Sequence, residues 1–174
     1  MDRTEAAPAA NRMRAPSMLV LIGGVVGLAS IFLSWFEFSG QGIGTQPLKG
    51  TDLAMGIGTG VFAALLVLFG IIMLARGRGR GLAITSIVFA ALVVIIGIYA
   101  AFAPEAAITS FESSSVGDQI GVSKVQAEAL LEQGFDSGIL AAKSQIGSYL
   151  ALAGGALGLV ASILATRAGK KAAA

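Results

Sequence analysis

Residues 74–83 read LARGRGRGLA: Arg76, Arg78 and Arg80 alternate with Gly77, Gly79 and Gly81, with no acidic residue beside them. An uncharged apolar run ends on one side of this stretch (residues 53–75) and another begins on the other (81–103). A bilayer's hydrocarbon core is about 30 Å thick, and a helix rising about 1.5 Å per residue crosses it in roughly 20 residues. Each run is therefore long enough to be a spanning helix. The link between them is too short to be a domain, so it reads as a tight turn. Its glycines supply the turn and its arginines anchor it to anionic headgroups on the cytoplasmic side. A narrower alternative is a phosphate or headgroup site built from the arginines and backbone N–H groups.

Two further runs, 17–36 and 147–166, are equally free of Asp, Glu, Lys and Arg. A charge at the centre of a span costs about 2.5–3.5 kcal/mol on insertion scales, so four clean runs predict four crossings. Pro16 suits the start of the first helix, Thr51 or Asp52 the N-cap of the second, and Pro104 the end of the third. The first run follows Arg12 and Arg14, but it is longer than a signal-peptide core and no small-residue cleavage site follows, so it reads as an uncleaved helix.

Charge then orients the four spans. If they alternate, Arg3, Arg12, Arg14, Arg76, Arg78, Arg80, Arg167, Lys170 and Lys171 share one side. The other side holds only Lys49, Lys124 and Lys143 among its cations, together with Glu37, Asp52, Glu105, Glu112, Asp118, Glu128, Glu132 and Asp136. The positive-inside rule puts both termini and the Arg/Gly turn in the cytoplasm. The expected fold is an all-α membrane protein: an antiparallel four-transmembrane-helix bundle over 17–167, with cytoplasmic tails at 1–16 and 168–174. Its first outer loop (37–52) is glycine-rich and reads as a short β-ribbon on the helix ends. Its second (104–146) is longer and partly helical. There, 104–111 extends as a short helix, the serines at 113–115 with Gly117 mark a break, and Ser123 with Gln126 forms a capping box. The helix that box opens runs to Gly134, and Asp136 caps a helix leading into the fourth span.

Trp35, Tyr99 and Tyr149 fall at outer ends of spans, where amphipathic rings anchor at the interface, while Arg76, Arg78 and Arg80 anchor the inner side. Lipid offers helices no hydrophobic reason to associate, so small residues that allow close approach become the packing candidates. These are Gly23 and Gly27, Gly56 and Gly60, and Gly154 and Gly158, with Ser86 and Ala90 in the third run. The first and fourth runs share L-x-L-x-G-G-x-x-G-L, at 19–28 and 150–159. That pattern reads either as an inverted repeat or as two smooth faces that meet each other.

The exit Ser34-Trp35-Phe36, the loop ending Gly50-Thr51-Asp52-Leu53 and the Arg/Gly turn together resemble small four-helix integral membrane proteins of actinobacteria. The resemblance implies a bacterial plasma-membrane address and brings no activity with it. Claudin-like tetraspan proteins share the helix count but depend on cysteines in the first outer loop, and this chain has none.

With neither cysteine nor histidine among its 174 residues, the chain lacks a thiol nucleophile, the commonest general base and most zinc or haem ligation. No ionisable group lies within a span to activate a hydroxyl or couple ion movement. The glycine strings at 40–44 and 56–60 follow no βαβ unit and are not a dinucleotide fingerprint. The expectation is a non-catalytic protein with no cofactor, no metal and no nucleic-acid partner. It would act as a structural or accessory subunit of the plasma membrane, docking through its glycine faces and acidic outer loop onto a membrane or extracytoplasmic protein or onto itself. Val125, Ala129, Leu130 and Leu131 are the candidate partner surface, unless that helix packs on its own bundle or lies among headgroups. The alternative is a small transporter or oligomeric channel lined by Thr59, Thr85 and Ser86.

Overall fold

The computed structural model describes residues 6–42, 44–76 and 80–171. Among them are six α-helices: α1 (Ala6–Ser30), α2 (Ala54–Arg76), α3 (Arg80–Phe102), α4 (Pro104–Ile120), α5 (Lys124–Asp136) and α6 (Ile146–Lys171). Three strands, β1 (Ser34–Gly40), β2 (Gly44–Lys49) and β3 (Leu140–Ser144), form one antiparallel sheet in the order β2-β1-β3. The chain is mostly helical, as expected, but the sheet is larger than the expected ribbon.

Three helices are long and apolar enough to cross a membrane: Ala54–Arg76, Arg80–Phe102 and Ile146–Ala168, of 23 residues each. At about 1.5 Å per residue each is roughly 34 Å long. In α1 the apolar stretch is shorter, Arg14–Ser30. The four long helices close into a ring in which α1 packs on α2 and α6, and α3 packs on α2 and α6. Within the ring sit small residues and a few larger ones: Ala63, Ala83, Ala90, Ala161 and Ala165 around Val20, Leu66 and Met73. Large aliphatics such as Ile57, Val61, Leu68, Ile71, Ile84, Val88, Ile95 and Val160 are about half exposed on the outside. A water-soluble bundle distributes its residues the other way round.

The first helix departs from the expected boundaries at both ends. It begins before Pro16, which lies inside it, and it stops at Ser30 rather than Phe36. The stop follows from how its last carbonyls are satisfied. The Trp35 indole N–H donates to the Ser30 carbonyl at 2.9 Å. Thr51 N–H donates to Ile31 O at 2.9 Å and Gly50 N–H to Leu33 O at 3.2 Å. The chain thus leaves the helix with its polar backbone groups already paired to the first outer loop.

The register of β1 against β2 shifts between Ser34 and Phe36. Neighbours in a regular strand face opposite ways, and an irregularity re-aims one of them. Here Trp35 and Phe36 are both fully buried. They head a second core under the sheet, with Leu53, Met55, Ala107, Ile108, Leu131 and Ala151.

The second outer segment also differs from expectation. The serines at 113–115 do not break α4, which continues to Ile120 and ends at Gly121 in the left-handed region (φ +74°). Ser113 and Gly117 lie on a buried side of that helix, which is why it continues. The capping box at the start of α5 forms as expected: Gln126 N–H donates to Ser123 Oγ, and Ser123 N–H to Gln126 Oε1. Asp136 ends α5 instead of capping a new helix. A turn with Gly138 at φ +70° then leads into β3.

Candidate functional site

The sheet and the α4–α5 hairpin form one module seated on a single end of the helix ring. Three features fasten it there. Trp35 lies against Gly50 and Gly147, where a Cβ would stand 2.7 and 2.5 Å from its indole. Ser144 Oγ donates to the α3 carbonyl of Ala100 at 2.7 Å, and Gln145 N–H donates to Trp35 O at 2.8 Å. The third is Glu112 of α4, only 5% exposed, whose two carboxylate oxygens accept the N–H groups of Ala54 (3.0 Å) and Met55 (3.1 Å).

That carboxylate caps the first turn of α2, where unpaired N–H groups and the positive end of the helix dipole favour an anion. The expected caps act elsewhere: Asp52 accepts from Lys49 N–H at 3.2 Å and from the Thr51 hydroxyl at 3.3 Å. Sequence reasoning missed Glu112 because no local spacing connects it to Ala54.

Several glycines stand where two helices come close. A Cβ on Gly23 would stand 2.7 Å from Gly154 O and Gly158 N, and one on Gly154 would stand 2.6 Å from Gly27 N. The shared pattern of the first and fourth runs is therefore the seam between α1 and α6. Gly60 faces the Ile31 side chain, and Gly56 lies so close to the Gly50 carbonyl that a Cβ would collide with it. Gly24, Gly70, Gly97 and Gly155 serve the same purpose without belonging to a glycine pair four residues apart; Gly97 and Gly155 have only an alanine at that spacing, Ala101 and Ala151. Cβ atoms on these four glycines would stand about 2.8 Å from α2, α1, α6 and α3 respectively. All six predicted glycines are thus taken up within the chain, and none presents a face to an external partner.

Trp35, expected as an interface anchor, has no exposed surface and is a core residue instead. Tyr99 and Tyr149 are nearly half exposed and stack edge-on with Phe111 and Phe102, at 6.3 and 6.5 Å between ring centroids. Arg76 and Arg80 are exposed, and Arg78 lies outside the described residues. On α5, Val125, Ala129 and Leu130 face solvent, but Leu131 is buried in the core under the sheet and leaves the partner surface. Thr59 and Ser86 are buried and Thr85 is exposed. Each of these three hydroxyls donates to the carbonyl four residues earlier in its own helix.

Between α4 and α5 the hairpin opens into a cleft of about 240 Å³. One wall carries Glu105, Ala106, Thr109 and Ser110, and the other Glu128, Glu132, Phe135 and Asp136. Spacings of four residues keep Glu128, Glu132 and Asp136 on one stripe of α5, opposite Glu105. None of these four carboxylates is ion-paired among the described residues. Nor do any three acidic groups among those residues converge closely enough to hold a metal ion. A second, shallower cleft of about 300 Å³ lies at the sheet's tip, lined by Ser39, Gln41, Thr45 and Ile139 among others.

No protein-family model, curated protein or solved structure matches this chain.

Proposed function

We propose that this protein is a non-catalytic, multi-pass accessory subunit of a plasma membrane. Four helices, α1, α2, α3 and α6, cross the bilayer with both termini in the cytoplasm, and the sheet with the α4–α5 hairpin stands outside as a docking module. The observation that carries this reading is a division of labour. The buried hydroxyls and close-packed glycines of the bundle are matched within the chain, whereas the outer module keeps four carboxylates without cationic partners among the described residues. Although the apolar part of α1 is short, the helix packs along α2 and α6 and so crosses with them. Its flanking Arg14 can extend toward the headgroups.

The test is purification of the tagged protein from its native membrane in mild detergent, with mass spectrometry of what accompanies it. A stoichiometric companion supports the accessory role. A clean monomer or homo-oligomer overturns it and shifts attention to conductance measurements in liposomes.

A further inference from the structure

Thr109 is 7% exposed, lines the cleft between α4 and α5, and makes no hydrogen bond among the described residues. Buried helical hydroxyls ordinarily donate back to the preceding turn. Thr59, Ser86 and Ser162 of this protein do so at 2.7–2.9 Å. Thr109 does not; one turn further along the same side of α4, Ser113 Oγ is buried without a partner. A hydroxyl left free of the backbone on the wall of a cleft can bond to a group that enters it.

The rest of the cleft specifies that ligand's charge. Glu105, Glu128, Glu132 and Asp136 concentrate negative potential in one place, and no Lys or Arg among the described residues is paired with any of them. Glu128 and Asp136 are eight residues apart on α5, a stripe about 12 Å long. One cation cannot neutralise a row of that length. Phe135 adds an aromatic ring to the lining, a surface on which guanidinium groups stack. The volume of about 240 Å³ suits the ends of side chains better than a whole small-molecule ligand, whose pockets start near 300 Å³.

We infer that the cleft between α4 and α5 receives an arginine-bearing segment of an extracytoplasmic partner protein, with guanidinium groups bridging the carboxylates of both walls and the Thr109 hydroxyl. The inference rests on the accessory reading above and names the chemistry of the partner. A second copy of this chain is a poor source, because all seven of its arginines lie before the first apolar run, between the second and third, or just after the fourth. That proposed topology puts them on the other side of the membrane.

The experiment uses the full chain in nanodiscs of neutral phosphatidylcholine and a fluorescein-labelled peptide carrying several arginines between glycines and serines, read by anisotropy. Glu132→Gln is expected to weaken binding about tenfold. Thr109→Val, which changes no charge, should weaken it about threefold. Asp118→Asn removes an exposed carboxylate of α4 outside the cleft and should leave binding unchanged. Equal weakening by Asp118→Asn, or none by Thr109→Val, would mean diffuse electrostatic attraction and overturns the site. So does calcium that binds alone by calorimetry and displaces the peptide stoichiometrically, which would make the cleft a metal site. Arginine amide binding as tightly as the peptide overturns the partner segment in favour of a small cation. Should Glu132→Gln with Asp136→Asn still co-purify the companion, the cleft assignment falls and the accessory role stands. A peptide that binds as expected, with no companion ever found, does the reverse.

Discussion

Glu112 holds α2 to α4 through a single side chain. Removing it in Glu112→Ala leaves the N–H groups of Ala54 and Met55 without their acceptors. The expected loss is about 1–3 kcal/mol, seen as a lower unfolding midpoint in detergent. Glu112→Gln keeps one acceptor oxygen and should lose less. If both variants unfold with the parent, the cap contributes nothing. Glycines allow a paired test at the same scale. Gly154→Ala drives a methyl into the α1 backbone, within 2.6 Å of Gly27 N, and should cost about 1–3 kcal/mol by overpacking. Gly58 has nothing within 4 Å of its missing Cβ, so Gly58→Ala should be neutral or gain up to about 1 kcal/mol of helix propensity. Were the two substitutions equal in effect, the α1–α6 seam would not be the close contact described. The glycine motifs were readable in advance as packing residues. Their consumption within the chain was not, because a motif says that something approaches and leaves open what does.

Among the elements, α5 was the most legible. Its capping box spans only Ser123 to Gln126 and forms as read, although Leu131, read as outward-facing, turns into the core. Ser123→Ala should cost about 1 kcal/mol of helix stability. The measurement is amide exchange, which should quicken at residues 124–127 while α6 stays protected. Uniform quickening across the molecule would show that α5 opens only with the whole fold. By contrast, β3 could not be read locally. Leu140-Ala-Ala-Lys-Ser144 has no β-branched or aromatic residue, and strand formation there follows from pairing with β1 about a hundred positions earlier. The true end of α1 was hidden for a related reason. Residues 31–36 are apolar apart from Ser34, so hydropathy carries the helix onward, while the hydrogen bonds that stop it come from Trp35, Gly50 and Thr51.

At the scale of the whole molecule, the ring of helices carries small residues inside and large aliphatics outside, with the polar module at one end. The topology proposed for it makes a direct prediction. The chain has no cysteine, so Arg80→Cys and Ile120→Cys, both at exposed positions, each introduce a single thiol. A membrane-impermeant maleimide added to intact cells should label position 120 and spare position 80, and inverted vesicles should reverse the pattern. Labelling of both from one side would rule out the alternating crossing and, with it, an extracytoplasmic module. Trp35 bears on the same scale. It was expected at the lipid boundary and instead joins the outer module to the bundle.

What the sequence determined by itself is what a contiguous stretch can carry. Hydropathy over about twenty residues marks α2, α3 and α6 as long and apolar enough to cross a membrane, and four residues suffice for the cap of α5. Only the tertiary structure decided which way Trp35 faces, that Glu112 caps a helix 58 residues away, and that Glu105 meets Glu128, Glu132 and Asp136 across one cleft with Thr109. The reason is physical. Solvent transfer and capping act within a segment and leave their mark on its composition, whereas burial and charge convergence depend on which segments are brought together.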